Sequence, residues 1–374
     1  MKLSIQQKNL LKHINIAQRA IGTHTTLPVL EGIYLIAKDN TLELIATDLK
    51  ISIHSKVDAL VKEEGEIIVN SNLFGNIIRK LPDEIVELEA NDNLLQIKCA
   101  YSSFSIHLYE EDEYPSIFNE ENGDMVTISS GSLKDSISQT VFATSQELTK
   151  PILTGVLMNQ KSKKIDFVAL DGYRIAIKTL MMEKKNEKQV IIPAKALQEL
   201  NRILPEEGDT LIKILKGSVV FEFEGTRLFT RLLDGNFIQY ETVIESVFST
   251  YFSVNRKSLE ESIERAALLS REERTNLIKL DLNSGRLTIT SNTEIGHVTE
   301  IVDGKQEGEN LIIAFNARYL MEGIKAMRES EIKMKFSGPL RACIIEELNE
   351  NPAPADRFSN MAQEEMMKIG RAHV

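Results

Sequence analysis

The sequence predicts an α+β chain made of three copies of one domain, each copy carrying antiparallel sheets with two helices on one face. Three observations lead there. Marks recur at a fixed offset along the 374 residues. Stretches with helical spacing are each followed by runs of short alternating strands. The composition, 42% hydrophobic and 26% charged, holds enough apolar material for several cores and excludes a chain disordered throughout.

The repeat organises everything else. Leu27-Pro28-Val29-Leu30-Glu31-Gly32 is echoed by Lys150-Pro151-Ile152-Leu153-Thr154-Gly155, an offset of 123. Leu10 with Leu133, Asp48 with Asp171, Phe74 with Leu197, Arg79 with Arg202 and Pro82 with Pro205 keep that number. A fainter third copy puts Leu320 123 after Leu197 and Lys325 123 after Arg202. The expected units are 1–123, 124–247 and 248–345, with 346–374 outside the pattern. A period this long excludes a solenoid.

Within the first unit Leu3–Ile5 reads as a strand, and Asn9–Ala20 as a helix with Leu10, Leu11, Ile14 and Ala17 on one face. Strands follow at Gly32–Ala37, Thr41–Thr47 and Ile51–Val57, with Asp39-Asn40 as turn chemistry, then Ile67–Val69. Leu73–Leu81 is a second helix, stopped by Pro82. Ile85–Ala90, Leu94–Ala100 and Phe104–Tyr109 close the unit. Helices do not alternate singly with strands, which argues against a doubly wound parallel sheet. The second unit ends in strands at Thr210–Leu215, Val219–Phe223 and Leu228–Leu232. The third gives Glu331–Phe336 and Leu340–Ile345 and then breaks. Pro352 and Pro354 rule out a strand where they stand, and Phe358–Lys368 is at best a weak helix. The last strand is therefore expected to be missing, the tail disordered or loosely packed, and the reading frame truncated or shifted. The final Ile369-Gly370-Arg371-Ala372-His373-Val374 looks like a translated sequencing adapter.

Charge is unevenly placed. The chain carries 44 Lys and Arg against 55 Asp and Glu, a net −11 that repels nucleic acid as a whole. The six helical stretches nevertheless sum to +6, leaving −17 elsewhere. A shared basic face suits phosphates, which Lys and Arg neutralise without reading sequence. No helix-turn-helix or zinc finger accompanies it, and aromatics at 6% with no Trp disfavour a base-stacking platform. Of chemistry there is little sign. His13, His24, His54, His107, His297 and His373 pair at no ligand spacing, so no metal or other cofactor is expected. Asp48 and Asp171 could serve a Mg²⁺-dependent nuclease, but each reads better as an Asx turn beside a strand end. Cys99 and Cys343 read as core residues, and two cysteines with no apolar signal core or membrane-length run suit a cytoplasmic protein.

Thr26-Leu27-Pro28-Val29-Leu30-Glu31-Gly32, Ala46-Thr47-Asp48-Leu49, Asp171-Gly172-Tyr173-Arg174-Ile175-Ala176 and Ala314-Phe315-Asn316-Ala317-Arg318-Tyr319-Leu320, in that order, resemble the bacterial DNA polymerase III beta subunit family, the sliding clamps. The resemblance runs from Met1 to about Ile345. It implies a head-to-tail homodimer closing a ring of clamp domains around duplex DNA, helices inward, with no active site of its own. Partners implied are replicative polymerase, clamp loader and repair proteins bound through short apolar peptides. The implied DNA-facing residues are Lys8, Lys12, His24, Arg79, Lys80, Lys150, Lys195, Arg202, Lys325 and Arg328. The implied peptide pocket is Leu170, Gly172, Tyr173, Arg174, Ile175, Ile238, Val243, Asn316, Tyr319 and Leu340. The ring interface would pair Phe104 and Ile106 with Leu268 and Leu269 of the second copy. A DNA-processing enzyme and a protein scaffold without DNA are the other two classes the residues leave open.

Overall fold

A computed structural model describes residues 1–22, 27–110, 114–115, 123–242, 244, 247–272, 276–348 and 366–369. The first repeat runs β1 (Lys2–Gln6), α1 (Gln7–Ala17), β2 (Gly32–Lys38), β3 (Thr41–Thr47), β4 (Ile51–Asp58), β5 (Leu60–Glu63), β6 (Gly65–Asn70), α2 (Ser71–Lys80), β7 (Ile85–Asn91), β8 (Leu94–Cys99) and β9 (Ser102–Tyr109). The second runs β10 (Asp124–Ser129), α3 (Ser130–Ser138), β11 (Gly155–Leu170), β12 (Ile175–Pro193), α4 (Ala194–Ile203), β13 (Asp209–Ile214), β14 (Ser218–Phe223) and β15 (Thr226–Arg231). The third runs β16 (Thr250–Asn255), α5 (Arg256–Glu272), β17 (Leu277–Asn283), β18 (Arg286–Thr293), β19 (Gly296–Asp303), β20 (Lys305–Gly308), β21 (Leu311–Asn316), α6 (Ala317–Ala326), β22 (Glu331–Phe336), β23 (Cys343–Glu347) and β24 (Met366–Ile369).

The ladders are antiparallel, as the clustering of strands predicts. The chain divides into two compact units. The first, 1–133 with 198–232, carries thirteen strands in the order β10-β13-β14-β15-β4-β3-β2-β6-β9-β8-β7-β1-β5. The second, 134–197 with 233–374, carries a seven-stranded sheet β11-β12-β24-β23-β22-β16-β20 and a four-stranded sheet β19-β18-β17-β21. The sequence repeats meet near residues 123 and 247, yet the compact units divide the second repeat. The cause is hydrogen bonding: β15 pairs with β4, so the strands of the second repeat's end extend the first repeat's sheet, while β11 and β12 join the sheet of the third.

Register repeats with the sequence. Gly32 opposes Asn70 and Ala46 opposes Ile53; 123 residues on, Gly155 opposes Pro193 and Ala169 opposes Ala176. The turns repeat too. Asp48 Oδ1 accepts from the backbone N–H of Lys50 and Ile51, at 3.0 and 2.8 Å. Asp171 Oδ1 accepts likewise from Tyr173 and Arg174, at 2.9 and 3.1 Å. Both carboxylates are thus occupied as Asx turns, the assignment their sequence positions favour over Mg²⁺ ligation.

Helices form where an apolar stripe can be buried. On α1, Leu10, His13, Ile14 and Ala17 face inward against β3 and β4, while Lys8, Lys12 and Asn15 face water. On α2, Phe74 and Ile78 are buried, and Asn70 caps the start by accepting from Leu73 N–H at 2.9 Å. Phe74 has no exposed surface, so Phe74→Ala is expected to lower the first unfolding transition in urea by about 3–5 kcal/mol. A loss under about 1 kcal/mol would show that the site collapses around the cavity.

Three sequence readings need correction. Leu60–Glu63 is a strand, β5, paired with β1. It lacks alternation because it is an edge, where Lys62 and Glu63 discourage pairing with another chain. The strand expected from Leu340 starts at Cys343, since Ser337-Gly338-Pro339 spends the intervening residues on a turn, with Gly338 at φ +143°. The expected gap at the end of the third sheet is filled. Met366–Ile369 forms β24 between β12 and β23, placing Lys368 opposite Ile175 and Ile369 opposite Cys343. This replaces the end of the helix expected at Phe358–Lys368. The prolines lie upstream of it, so four proline-free residues can satisfy the two strand edges. The remaining tail, 349–365 and 370–374, lies outside the described residues.

Candidate functional site

Most of the expected phosphate-facing residues stand on the solvent stripes of the helices, while Lys150 precedes the short turn Pro151–Thr154. Lys8 and Lys12 share a stripe of α1 with Asn15, and Arg79 and Lys80 end α2. Asn15 links the two helices: Arg79 Nη2 donates to Asn15 Oδ1 at 3.1 Å and Nη1 to Asn76 Oδ1 at 2.9 Å. These partners are neutral, so the guanidinium keeps its full charge and a fixed direction. Lys80 and Lys150 are exposed and make no ion pair among the described residues. Lys195 and Arg202 are exposed on α4, as are Lys325 on α6 and Arg328 just beyond it. His24 lies outside the described residues.

Charge counting missed how many of these cations already have anions. Lys8 Nζ sits 2.5 Å from Asp83, whose carboxyl the Lys8 contact holds below its ordinary value. Lys12 lies 3.6 Å from Glu224, Arg202 2.6 Å from Glu199 and Lys325 3.5 Å from Glu264. Arg328 pairs with Asp135.

The expected peptide pocket falls in the second compact unit. Its best-defined member is Arg174, only 7% exposed. The Asx turn aims it. Gly172 supplies the left-handed residue at φ +95°, and a Cβ there would meet nothing, so the turn is open to solvent. Arg174 Nε donates to Asp171 Oδ2 at 3.1 Å and Nη2 to the Phe142 carbonyl at 2.8 Å. Nη1 lies 2.6 Å from Glu322 Oε2, a charge contact without hydrogen-bond alignment. The guanidinium also covers the rings of Tyr319 and Phe142, 4.6 and 5.2 Å from their centroids. Tyr173, 48% exposed, stacks on Tyr319 at 5.9 Å. Asn316 caps α6, its side-chain oxygen accepting from the N–H groups of Arg318 and Tyr319, which sets where Tyr319 stands.

Leu170 and Ile175 oppose each other across the mouth of the β11–β12 hairpin. Ile175 packs with Phe237 and Ile244 on the buried cluster of Leu157, Val168, Ile177, Ile191 and Tyr240. Ile238 is exposed beside Phe237, and Val243 lies outside the described residues. The described contacts join Tyr173, Arg174 and Tyr319, and join Leu170 with Ile175; they do not tie Leu340, 67% exposed, to either group. Sequence reading also missed the anchor of the segment that carries Ile238. Tyr240 Oη donates to Asp166 Oδ2 at 2.8 Å and accepts from Asn159 Nδ2 at 3.1 Å. Thr179 Oγ1 donates to Asp166 Oδ1 at 2.6 Å. Burial pushes the Tyr240 phenol well above its usual value, so it stays a donor. Only the 3D pairing of β11 with β12 brings these residues together, and no motif marks them.

Of the expected ring-interface residues, Phe104 and Leu268 present surface in the single chain, whereas Ile106 is buried in its own sheet opposite Leu95. Ile106 therefore has little area to offer a second copy. Leu269 is half-buried. Among the described residues no group of three His, Cys, Asp or Glu could hold a metal ion, and no helix is long and apolar enough to cross a membrane.

Three repeated domains of antiparallel sheet and paired helices, with cations on the helix stripes and an aromatic–arginine site on a sheet turn, define a clamp protein. Profiles of the DNA polymerase III beta subunit match in order: the N-terminal domain over residues 1–118, the central domain over 127–239 and the C-terminal domain over 242–356. The beta sliding clamp of Bacillus subtilis is 33% identical over 365 residues, covering 94% of this chain and 97% of that one. That of Staphylococcus epidermidis is 32% identical over 358 residues, covering 92% and 95%. Among solved structures, the DNA polymerase sliding clamp of Bacillus subtilis superposes with a TM-score of 0.90 at 30% identity, covering 100% of this chain and 99% of that one. A DNA polymerase III beta subunit from Eubacterium rectale gives 0.89 at 28% identity over the whole of both chains. The chain belongs to the DNA polymerase III beta subunit family.

Proposed function

We propose that two copies of this chain pair head to tail into a ring around duplex DNA, with the helix stripes toward the phosphates. As a member of its family it is a sliding clamp, a processivity subunit of DNA polymerase III with no catalytic site of its own. The observation that carries the residue assignment is Arg79: an exposed guanidinium aimed by two amides and, among the described residues, paired with no acid. The DNA contacts are phosphate contacts, without sequence readout. Lys80, Lys150 and Lys195 add to them. The cytoplasm, where the replicative polymerase works, is the proposed location. Retention on nicked circular DNA after loading, with run-off once the circle is cut, tests the ring. Equal retention on both forms would overturn it.

The second proposed surface takes short apolar peptides from polymerase, loader and repair partners. Ile238 and the half-buried Ile175 supply the apolar contact, with Leu170, 7% exposed, packed beneath them, and Tyr173, Arg174 and Tyr319 form its polar side. Hydrophobic anchors in such a groove carry most of the affinity. Ile238→Asp is expected to weaken a labelled partner peptide by at least roughly tenfold, because Ile238 is exposed in the free chain and a carboxylate there stays unpaired when the peptide covers it. Binding equal to that of the unaltered chain would move the pocket elsewhere.

A further inference from the structure

Five of the cations assigned to DNA are matched by carboxylates on the same chain: Lys8 by Asp83, Lys12 by Glu224, Arg202 by Glu199, Lys325 by Glu264 and Arg328 by Asp135. These are not accidents of helix spacing. Only Arg202 and Glu199 are close in sequence. Asp83 follows α2, Glu224 sits on the turn between β14 and β15, and Glu264 stands on α5 facing α6. Glu199 serves two cations, with Arg19 3.8 Å from its other oxygen, and that oxygen accepts no hydrogen bond. All but Glu199 thus reach the basic stripes from elements other than the ones that carry their cations.

We propose that Asp83, Asp135, Glu199, Glu224 and Glu264 are internal competitors of DNA phosphate that hold the lining's affinity down and keep the ring mobile on the duplex. This rests on the reading that the helix stripes face DNA. Asp83, Glu224 and Glu264 are exposed and Asp135 is partly so, and pairs in water gain little net energy, because each ion is well solvated alone. A lysine or arginine can therefore leave its carboxylate for a passing phosphate and return at small cost in either direction. A cation that must give up one anion to gain another adds little to net counterion release. Among the described residues Arg79, Lys80 and Lys150 make no such ion pair, and they supply the standing attraction. The lining then has a few fixed holds among many exchangeable ones, which suits an encircling protein: topology keeps it on DNA, so tight contacts would only slow it.

The test uses the full chain and a labelled linear duplex, with affinity measured by anisotropy from low to physiological salt. Diffusion of the loaded protein along stretched DNA is the second readout. E224Q and E264Q, the changes at exposed sites, are made singly; D83N, D135N and E199Q are added stepwise. Each freed cation is expected to steepen the salt slope by up to about 0.9, and the combined variant to bind the duplex roughly tenfold tighter at low salt. Its diffusion along DNA is expected to slow. Arg79→Glu is the control. If it weakens binding while the amide variants bind and diffuse like the unaltered chain, the competitor role is wrong and the DNA-facing reading stands. If neither series changes anything, both fall.

Discussion

Reversing Arg79, Arg202 and Lys325 to Glu together is expected to reduce loading onto circular DNA and its salt slope while leaving the fold intact. The three occupy equivalent places in the three repeats, at offsets of 123, so they point in equivalent directions from equivalent helices. A phosphate contact by an unpaired cation contributes about 0.9 to the salt slope, so a ring of two copies loses most at its two Arg79 sites and less at the paired Arg202 and Lys325. Exposed charge changes shift stability by only about 0.5 kcal/mol, so the loss is not one of folding. The three sites are not equal. Arg79 rests on amides, whereas Arg202 and Lys325 already face Glu199 and Glu264, and Arg79→Glu alone is expected to give the largest single effect. Loading assays on nicked circles measure this, and undiminished retention in the triple variant would remove these helices from the DNA surface.

Arg174→Ala is expected to have the largest effect in the second compact unit. The change removes a buried guanidinium and strands Asp171, whose side chain is itself largely buried, together with the Phe142 carbonyl. Breaking a buried pair from one side typically costs about 3–5 kcal/mol. The lower end is expected here, since Glu322 keeps access to water. Arg174→Lys restores the charge without the planar fork that serves three partners at once, and recovers only part of the loss. Urea unfolding measures both. A cost below about 1 kcal/mol for the alanine variant would show that Arg174 serves partners alone and not the fold.

What was legible in the sequence and what was not divides along physical lines. The repeat, the helix faces of α1 and α2 and the Asx turns at Asp48 and Asp171 are local: spacing, capping and turn chemistry declare them within about ten residues. Strand Thr41–Thr47 was readable for the same reason, its Leu42, Leu44 and Ala46 alternating inward. The edge strand β5 was not, because an edge needs charge where a buried strand needs apolar residues. Pro352 and Pro354 argue against a strand where they stand, among residues outside those described, but they say nothing of a four-residue strand a dozen positions later. At the candidate site, motif resemblance pointed to Arg174 and Tyr319, yet Phe142 and Tyr240 lie far from them in sequence, and nothing local shows that Glu322 reaches Arg174 or that Asp166 anchors Tyr240. The summed charge of the helices was readable too. That Asp83 or Glu224 would return from distant loops to neutralise it was not, because an ion pair between distant residues leaves no periodic trace.

The stack of Tyr173 on Tyr319 has an optical consequence. The chain has eight tyrosines and no tryptophan, so no indole emission masks phenol fluorescence. Two rings 5.9 Å apart, one of them flanked by the guanidiniums of Arg174 and Arg318, form a chiral, asymmetric chromophore pair on the proposed peptide surface. A peptide that slides along Tyr173 changes that ring's tilt and solvent exposure directly. Near-ultraviolet dichroism of the unlabelled chain would then follow occupancy without a dye, and a peptide bearing one tryptophan would be visible by energy transfer from these two rings.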